Sequence, residues 1–588
     1  MTILRTIFSI GPKIRRLIPL GLVSALPLAS GCNIAPKVDQ ASLVLTNGKV
    51  VTVDPLQPEA EAVAIVGDRI IALGTNQEIR PYIGRGTEVI DLEGRLAVPG
   101  FIEGHGHFMG LGQSRMILDL ADVRSWAEVV EMVEDAVREA EPGEWITGRG
   151  WHQERWSDIP ADAVDGVPPH HALSAVSPEN PVYLTHASGH ASIANAKALE
   201  LAGIDSSTPD PAGGTIVRTG SGEATGLLRE NAQGLVRRVL SQVEAERSPA
   251  EIAAQLRRAA ELASEELLRK GVTSFHDAGT SFATVDFYHE LIEEDALPVR
   301  LYVMVSGSND EMAEKLADYR VVGAGNDHLT VRAIKRQIDG AMGPHGAWLL
   351  EPYADLPETS GLALQSPEMI ARTAQLALRH GYQLNTHAIG DRAVREVLDI
   401  YEIAFQGHLA AEDPRWRIEH AQHIDPADID RFGELGVIAS MQAVHATSDG
   451  SWVDRRLGRE RTEATSYLWR TLIDRGIVVT NGTDTPVEDV DPIANFHASV
   501  TRQLEDGTIF MPEQRMTREE ALRSYTLSNA YAAFEEDLKG SITPGKLADI
   551  VVLSKDIMTV PEDEILEARV VYTIVGGKIL FQDTTLVR

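Results

Sequence analysis

The chain has 588 residues, which is long enough for a large hydrophobic core and for more than one domain. Its 86 acidic and 54 basic residues give a formal net charge of −32, and such a surface repels phosphate backbones, so no nucleic-acid partner is expected. The single cysteine, Cys32, excludes an internal disulfide and a cysteine-rich zinc site, so any metal must be held by histidine, carboxylate or modified lysine side chains.

Residues 1–32 have the pattern of a signal peptide. A basic segment precedes a short apolar run over residues 17–30, which is too short for a comfortable membrane-spanning helix. Small residues stand directly before Cys32, as in a bacterial lipoprotein signal, where the lipidated cysteine becomes the first residue of the mature chain. We therefore expect an exported protein, anchored through a lipid on Cys32 to a membrane, in the periplasm or at the outer membrane of a bacterium. An ordinary cleaved signal with an incidental cysteine is the alternative.

Short strands separated by turns are predicted at both ends of the remaining chain. They fall in residues 41–53 and 60–73 near the start, and in residues 548–553 and 570–581 near the end. Two β-rich ends that flank a long α/β middle suggest one small domain assembled from both termini. We predict a composite β-sandwich formed by residues 38–97 and 540–588.

The middle of the chain contains eight apolar, β-branched segments, and amphipathic helical stretches separate most of them. This alternation predicts a parallel sheet, and eight repeats predict a closed (β/α)8 barrel over residues 98–539. The gap after the first strand is too long for a single crossover, so an inserted subdomain is expected over residues 112–251. The predicted strands are Leu96–Ile102, Val272–Phe275, Val299–Val305, Thr330–Ile338, Tyr382–Thr386, Trp416–Glu419, Gly436–Met441 and Ile477–Asn481.

Two histidines follow the first predicted strand. His105 and His107 lie two residues apart, and side chains on a strand alternate between its faces, so both point the same way. Two imidazoles on one face can share a metal ion, and Gly104 and Gly106 leave room for it. Such a pair has little specificity by itself, because a chance pair on a polar face gives the same spacing.

Four further candidates lie at or near the carboxyl ends of four other predicted strands: Lys335, His387, His420 and Asp484. Barrel enzymes place their chemistry at this end of the strands. Scattered core or surface histidines are the alternative, but unrelated histidines are not expected to choose strand ends so consistently. The sequence therefore predicts a metal centre at one mouth of the barrel.

Several segments resemble the amidohydrolase superfamily, and closely resemble its branch typified by N-substituted formamide deformylase (amidohydrolase family 3 type). The resemblance covers nearly the whole mature chain; it is specific for the superfamily and not for a substrate. The segments include Val98-Pro99-Gly100-Phe101-Ile102, Ile338-Asp339-Gly340, His387-Ala388-Ile389-Gly390-Asp391, Arg417-Ile418-Glu419-His420-Ala421-Gln422 and Gly482-Thr483-Asp484-Thr485-Pro486-Val487.

The resemblance implies two metal sites. His105 and His107 would bind one ion, and His387 and His420 a second. Lys335 would bridge the two if it were carboxylated by CO2, because a free ammonium cannot bind a cation. Two zinc ions per chain are then expected, or one if Lys335 is an ordinary lysine. Histidine and carboxylate ligands suit zinc, with manganese, iron and cobalt as alternatives.

The resemblance also implies a reaction, in which a metal-activated hydroxide attacks a carbonyl carbon of a small-molecule substrate. Asp484 would bind metal, take the proton and pass it to the leaving group. The expected function is hydrolysis of an amide, N-formyl or cyclic-amide C–N bond. An ester or lactone hydrolase on the same centre is one alternative. A non-catalytic surface lipoprotein that binds a ligand is another alternative. A residue able to serve as a metal ligand stands at each of the six positions, which argues against that alternative.

Other residues are expected around this centre. Gln442 and His445 resemble the branch's Gln-Pro-x-His motif, with Ala443 in place of proline, and His445 is predicted to orient substrate or stabilise an oxyanion. For His445, the alternative is a loop histidine without such a role. For Trp151, the alternative is packing in a core. The substrate-binding candidates are Gln442, Trp151, His152 and His345.

Overall fold

The computed structural model describes residues 40–121, 123–406 and 413–587. The predicted signal segment and Cys32 lie outside these residues. Over the described ranges, no helix has both the length and the apolar character needed to cross a membrane.

Eight parallel strands, β1 to β8, form a nearly closed barrel in the middle of the chain, and each pairs with the next in sequence order. Hydrogen bonds from Asp484 N to His105 O (2.8 Å) and from His107 N to Thr485 O (2.8 Å) connect the segment after β8 to β1. The strands are β1 Phe101–Gly106, β2 Val272–Thr280, β3 Arg300–Val305, β4 Leu329–Gln337, β5 Gln383–Ala388, β6 Arg417–His420, β7 Ile438–Met441 and β8 Val479–Asn481.

Several helices between these strands begin at a serine or asparagine whose side chain caps the helix. In the helix Pro367–His380, the Ser366 hydroxyl accepts a hydrogen bond from Met369 N, proline occupies the first turn, and Gly381 ends the helix with a φ of 69°. The apolar side of this helix, including Ile370, packs into the core around the barrel.

The described α-helices are Asn76–Ile79, Phe108–Ser114, Trp126–Glu139, His171–Val176, Ala196–Leu201, Gln233–Ala245, Pro249–Arg269, Phe282–Glu293, Asn309–Tyr319, Ala324–Asp327, Pro367–His380, Asp391–Gln406, Ile429–Leu435, Ala443–Asp449, Val453–Leu457, Arg459–Thr465, Trp469–Asp474, Pro492–Thr501, Arg518–Ser524 and Leu527–Ala532. Short 3-10 helices span Arg80–Tyr82, Gln153–Arg155, Pro512–Gln514 and Glu562–Glu567. An additional short strand, Val321–Gly323, pairs with β4.

Two sheets at the chain ends share one apolar core, which contains Leu45, Ile65, Ala97 and Ile550. In the larger sheet, three strands from the end of the chain lie beside three from its start, and Ile550–Leu553 pairs with Leu96–Pro99 where the two groups meet, so neither terminus forms this sheet alone. The smaller sheet contains Leu43–Thr46, Ala62–Val66, Arg69–Gly74 and Glu88–Asp91; the larger contains Lys49–Val51, Glu59–Ala60, Leu96–Pro99, Ile550–Leu553, Val570–Val575 and Lys578–Gln582.

A third sheet lies in the long segment between β1 and β2. Its core contains Val129, Trp151, Leu184 and Leu227, so the sheet and its helices have an apolar interior of their own. The strands are Leu118–Asp119, Ile146–Trp151, Val182–His186, Ala191–Ala194, Gly214–Arg218 and Ala224–Glu230. The predicted fold class, a barrel with an inserted subdomain and extra sheets at the termini, is confirmed.

The prediction of one continuous strand over Leu96–Ile102 is wrong. Leu96–Pro99 pairs with strands of the terminal sheet, and the barrel strand β1 begins only at Phe101. The change occurs at Gly100, whose N donates to Asp549 O at 2.8 Å. A Cβ atom at Gly100 would lie 2.2 Å from Thr273 Oγ1, so the backbone crosses between the two sheets where a side chain does not fit.

A buried ion pair joins the barrel to the terminal sheets. Arg300 at the start of β3 donates to both carboxylate oxygens of Asp549, with Nε at 2.8 Å and a terminal nitrogen at 3.0 Å. The two side chains are 1% and 4% exposed, and Gly576 N also donates to Asp549 at 2.8 Å. Removing one partner would leave the other charge buried without compensation.

We therefore expect Asp549→Ala to destabilise the protein by about 3–5 kcal/mol. The measurement is the thermal unfolding midpoint, Tm, of the variant beside the wild type. The control is Glu294→Ala, which removes the exposed partner of Arg257 and is expected to leave Tm nearly unchanged. A fall in Tm no larger than that of the control would contradict this account of the interface.

Candidate metal centre

The structure brings the six predicted ligands together at the carboxyl end of the barrel. Ligand atoms of His105, His420 and Asp484 lie within 4.8 Å of one another. Lys335 Nζ lies 2.9 Å from His105 Nε2, and His107 Nε2 lies 3.2 Å from Asp484 Oδ1. The ring centroids of His387 and His420 are 4.4 Å apart. The six side chains therefore form one cluster, which β1, β4, β5, β6 and the segment after β8 position.

Three of the four imidazoles are held through Nδ1. His105 Nδ1 hydrogen-bonds to the Glu419 carboxylate, and His107 Nδ1 donates to the carbonyl oxygen of Ala278 at 2.7 Å. His420 Nδ1 donates to Gln442 Oε1 at 2.8 Å. Because Nδ1 carries the proton in each ring, each Nε2 presents a lone pair to the centre. This is the arrangement found around metal-binding histidines.

Glu419 and Arg417 form a buried pair beneath the centre. The Arg417 guanidinium contacts the Glu419 carboxylate at 2.7 Å and donates to Gly104 O at 2.7 Å. Burial acts to raise the pKa of Glu419, but Arg417 and His105 hold it well below its usual range. Both residues lie in the Arg417-Ile418-Glu419-His420 segment, but no role was predicted for either of them from the sequence. Their spacing could have indicated that they form a pair, because residues two apart on β6 point to the same side.

The Asp339 carboxylate binds the backbone of two loops beside His387, a role that was not predicted from the sequence. Its carboxylate accepts backbone hydrogen bonds from Trp348 (2.9 Å), Ile389 (3.0 Å) and Gly390 (2.8 Å). His387 Nε2 lies 3.4 Å from Asp339 Oδ1. The available signal was an acidic residue two positions after the end of β4, in the Ile338-Asp339-Gly340 segment.

The charges at the centre suit a cation. Burial, reinforced by Lys335, lowers the pKa of His105 to about 4, so this imidazole is neutral at pH 7. Burial also acts to raise the pKa of Asp484, yet His107, His105 and His420 in their protonated forms lower it well below its usual range, and a bound cation would take the place of those protons. Burial lowers the pKa of Lys335 to about 8, although Glu419 and Asp484 oppose the change.

The residues present fit a divalent metal ion. His107 Nε2 and Asp484 Oδ1 face each other at 3.2 Å although both present lone pairs, which is unfavourable unless a cation or proton lies there. His387 Nε2 and Asp484 Oδ1 are buried and make no hydrogen bond within the described part of the chain. Neutral imidazoles with one carboxylate are also a donor set that zinc and related ions prefer.

The other predicted residues have different surroundings. The side-chain oxygen of Gln442 accepts the hydrogen bond from His420 Nδ1, so it supports a metal ligand, and substrate binding by Gln442 stays a prediction. The His445 ring stacks on His420 with centroids 6.1 Å apart, and its Nε2 is buried with no hydrogen bond to any described residue. His345 Nε2 lies 3.1 Å from Asp355 Oδ1, so this nitrogen is paired away from the centre.

The two candidates from the inserted subdomain also differ. Trp151 is 1% exposed and donates from Nε1 to Leu184 O at 2.9 Å. The prediction that it lines a pocket is therefore corrected: it is part of the subdomain core. His152 is partly exposed and packs against His186, with ring centroids 4.5 Å apart.

The inserted subdomain holds another set of possible metal ligands. His170, His171 and Glu223 offer atoms within 4.8 Å of one another, but His171 and Glu223 are exposed. In the barrel cluster, His105, His420 and Asp484 are buried, and the rings of His105, His107 and His420 are oriented by hydrogen bonds to Nδ1. We therefore take the barrel cluster as the candidate metal centre.

A sequence model described as "Amidohydrolase family" matches residues 88–581. The chain belongs to the amidohydrolase family. This amidohydrolase is 35% identical to Protein LONG AFTER FAR-RED 3 of Arabidopsis thaliana, over 92% of each chain. It is 29% identical to N-substituted formamide deformylase of Arthrobacter pascens, over 92% of this chain and 98% of that protein.

The fold of this amidohydrolase also matches a solved structure, that of an uncharacterized metal-dependent hydrolase from Pyrococcus furiosus. The TM-score is 0.68 at 27% identity, and the match covers 88% of this chain and 100% of the other. This chain is therefore a hydrolase of the metal-dependent amidohydrolase family, and the family implies a divalent metal site.

We expect Gln442→Ala to weaken metal binding about 10- to 100-fold without unfolding the protein, because His420 loses the partner that orients its ring. The zinc dissociation constant, measured by competition with a chromogenic chelator, tests this. Gln233→Ala is the matched control, since Gln233 is equally buried but contacts Gly189 O in the inserted subdomain. Equal zinc affinities for both variants would show that Gln442 does not support the centre.

Proposed function

We propose that this amidohydrolase hydrolyses an amide, N-formyl or cyclic-amide C–N bond of a small molecule at the barrel centre. The observation that carries the proposal is the convergence of three histidines on Asp484. His105 Nε2 and His107 Nε2 lie 3.6 and 3.2 Å from Asp484 Oδ1, and His420 offers a ligand atom within 4.8 Å of those of His105 and Asp484. The similarity to N-substituted formamide deformylase over nearly the whole chain supports the choice of a C–N bond.

The proposed cofactor is a pair of zinc ions. His105 and His107 would hold one ion, and His387 and His420 the other. Lys335 would contribute oxygen ligands to both if its amine were carboxylated. Geometry supports this role, because Nζ already lies 2.9 Å from His105 Nε2, while a free ammonium would repel a cation. Bound divalent ions supply Lewis acidity, which polarises a carbonyl group and makes a water molecule acidic near neutral pH.

Asp484 is the proposed proton carrier. The pKa of its carboxyl group lies well below the usual range, so the carboxylate is ionised near neutral pH, and Oδ1 makes no hydrogen bond to a described residue. Oδ1 can therefore accept the proton of the attacking water and deliver it to the leaving nitrogen. An amine leaves poorly as an anion, so this second transfer is needed for a C–N bond.

His445 is proposed to position the substrate. Its ring lies parallel to His420, with an interplanar angle of 12°, and Nε2 is buried with no partner among the described residues. An Nε2–H group there can donate a hydrogen bond to a carbonyl oxygen as that oxygen gains negative charge. The ring is held by packing, so the donor needs little reorganisation during the reaction.

We expect Asp484→Asn to lower kcat about 10²- to 10⁴-fold on any substrate found in a screen of amides, N-formyl compounds, lactams and esters, because the proton carrier is lost. Tm should change little, since the amide fills the same volume. Asp489→Asn is the control: this residue pairs with Lys270 outside the centre and should retain wild-type turnover.

Three results would contradict the proposal. Unchanged turnover by the Asp484→Asn variant would remove Asp484 from the mechanism. Turnover of esters and lactones without any amide would make the ester alternative the correct reaction. Full activity of a metal-free enzyme, after chelation and removal of the chelator, would separate the reaction from the metal centre.

A further inference from the structure

Arg149 connects the inserted subdomain to the metal centre. It lies on the strand Ile146–Trp151, and its Nε donates to Pro486 O at 3.2 Å. Pro486 follows Asp484 by two residues. One terminal nitrogen of the guanidinium, Nη2, donates to Ala187 O at 2.9 Å. These two contacts hold the guanidinium beside the loop that carries Asp484.

The remaining edge of this guanidinium is uncommitted. No carboxylate oxygen in residues 40–121, 123–406 and 413–587 lies within 4.0 Å of it, and Nη1 makes no hydrogen bond to these residues. Arg149 is only partly buried. Arg300 and Arg417 differ, because each is buried and paired with a carboxylate. Nη1 and one N–H group of Nη2 thus remain as donors on Arg149, and a guanidinium with donors on both terminal nitrogens can bind a carboxylate through two hydrogen bonds.

The charged groups that act on Arg149 are the Asp484 carboxylate and the Arg237 guanidinium. Burial lowers the pKa of Arg149, the Asp484 carboxylate opposes this, and Arg237 reinforces it. Burial and the neighbouring His152, Arg149 and Arg155 lower the pKa of His186, so that imidazole is neutral. A cation at the centre would balance the charge of Asp484. The Arg149 guanidinium would then have no carboxylate partner of its own among the described residues.

We propose that Arg149 binds a carboxylate of the substrate, so that the preferred substrates are amides, N-formyl compounds or cyclic amides that also carry a carboxylate. The inference rests on the proposed function. The scissile C–N bond would lie at the metal centre of the barrel, and the substrate carboxylate would lie at Arg149 of the inserted subdomain. Arg149 is a specificity-determining residue in this account. It takes no part in proton transfer.

The test uses a matched pair of compounds, N-formyl-L-leucine and N-formyl-L-leucinamide, which share the scissile bond and differ in the charge of one group. We expect Arg149→Gln to lower kcat/KM for N-formyl-L-leucine about 10- to 150-fold, mainly through KM, since a charge-assisted hydrogen-bonded contact is lost. The value for N-formyl-L-leucinamide should change less than about 2-fold, because that compound has no anion to bind. Arg218→Gln is the control: Arg218 contacts main-chain oxygens elsewhere in the same sheet.

The outcomes separate this inference from the proposed function. An equal loss on both compounds would mean that Arg149 only braces the Pro486 loop, and the inference would be wrong while hydrolysis stands. If neither compound is hydrolysed, calorimetric binding of N-formyl-L-leucine to the zinc-loaded wild type and Arg149→Gln variant decides. Tighter binding to the wild type would support the anion site even if this reaction is not catalysed. Equal affinity, or no binding to either, would overturn the inference.

Discussion

The hydrogen bond between His105 Nδ1 and the Glu419 carboxylate is the contact on which the metal centre most depends. Both side chains are buried, at 1% and 0% exposure, so neither can be satisfied by water. Glu419 is kept ionised by Arg417, and the ionised carboxylate fixes the tautomer of His105. His105 Nε2 then meets Lys335 Nζ at 2.9 Å. A substitution of Arg417 would therefore alter the metal centre indirectly, through Glu419 and His105, although Arg417 contacts none of the six predicted ligands.

Barrel closure imposes a second constraint, because the first and last strands must approach closely where the ligands lie. A Cβ atom at Gly104 would lie 2.4 Å from Asn481 O, and one at Gly482 would lie 2.5 Å from a Glu103 carboxylate oxygen. Asn529 donates to the carbonyl oxygens of both Ile102 and Asn481, and so bridges β1 and β8. The glycines beside the ligands thus permit the strand contact that brings His105 to Asp484.

Much of this architecture could be predicted because its signals are local. Buried strands are apolar and β-branched, and the ligands follow them at positions where a parallel barrel collects its loops. The resemblance to known family motifs gave each of the six ligands a role. The terminal sheets were predictable for the same reason, since turns and short apolar runs recur at both ends of the chain.

The errors concern contacts between distant segments, which periodicity cannot show. Leu96–Ile102 has the pattern of one strand, and only the position of Asp549 and Thr273 explains why it divides at Gly100. A tryptophan pattern does not distinguish a pocket wall from a core, and Trp151 is in the core. No motif in the sequence indicates a role for Arg149, because Pro486, which it contacts, is 337 positions away in the chain.

The most direct test of the account is the zinc content per chain of the protein after loading and removal of loose metal, for the wild type beside His420→Ala and His171→Ala. The account predicts about two zinc ions in the wild type and in His171→Ala, and at most about one in His420→Ala. About one ion in the wild type would remove the bridging role of Lys335. No bound zinc in the wild type, or a content that falls only in His171→Ala, would contradict the central claim that the barrel cluster is the metal centre.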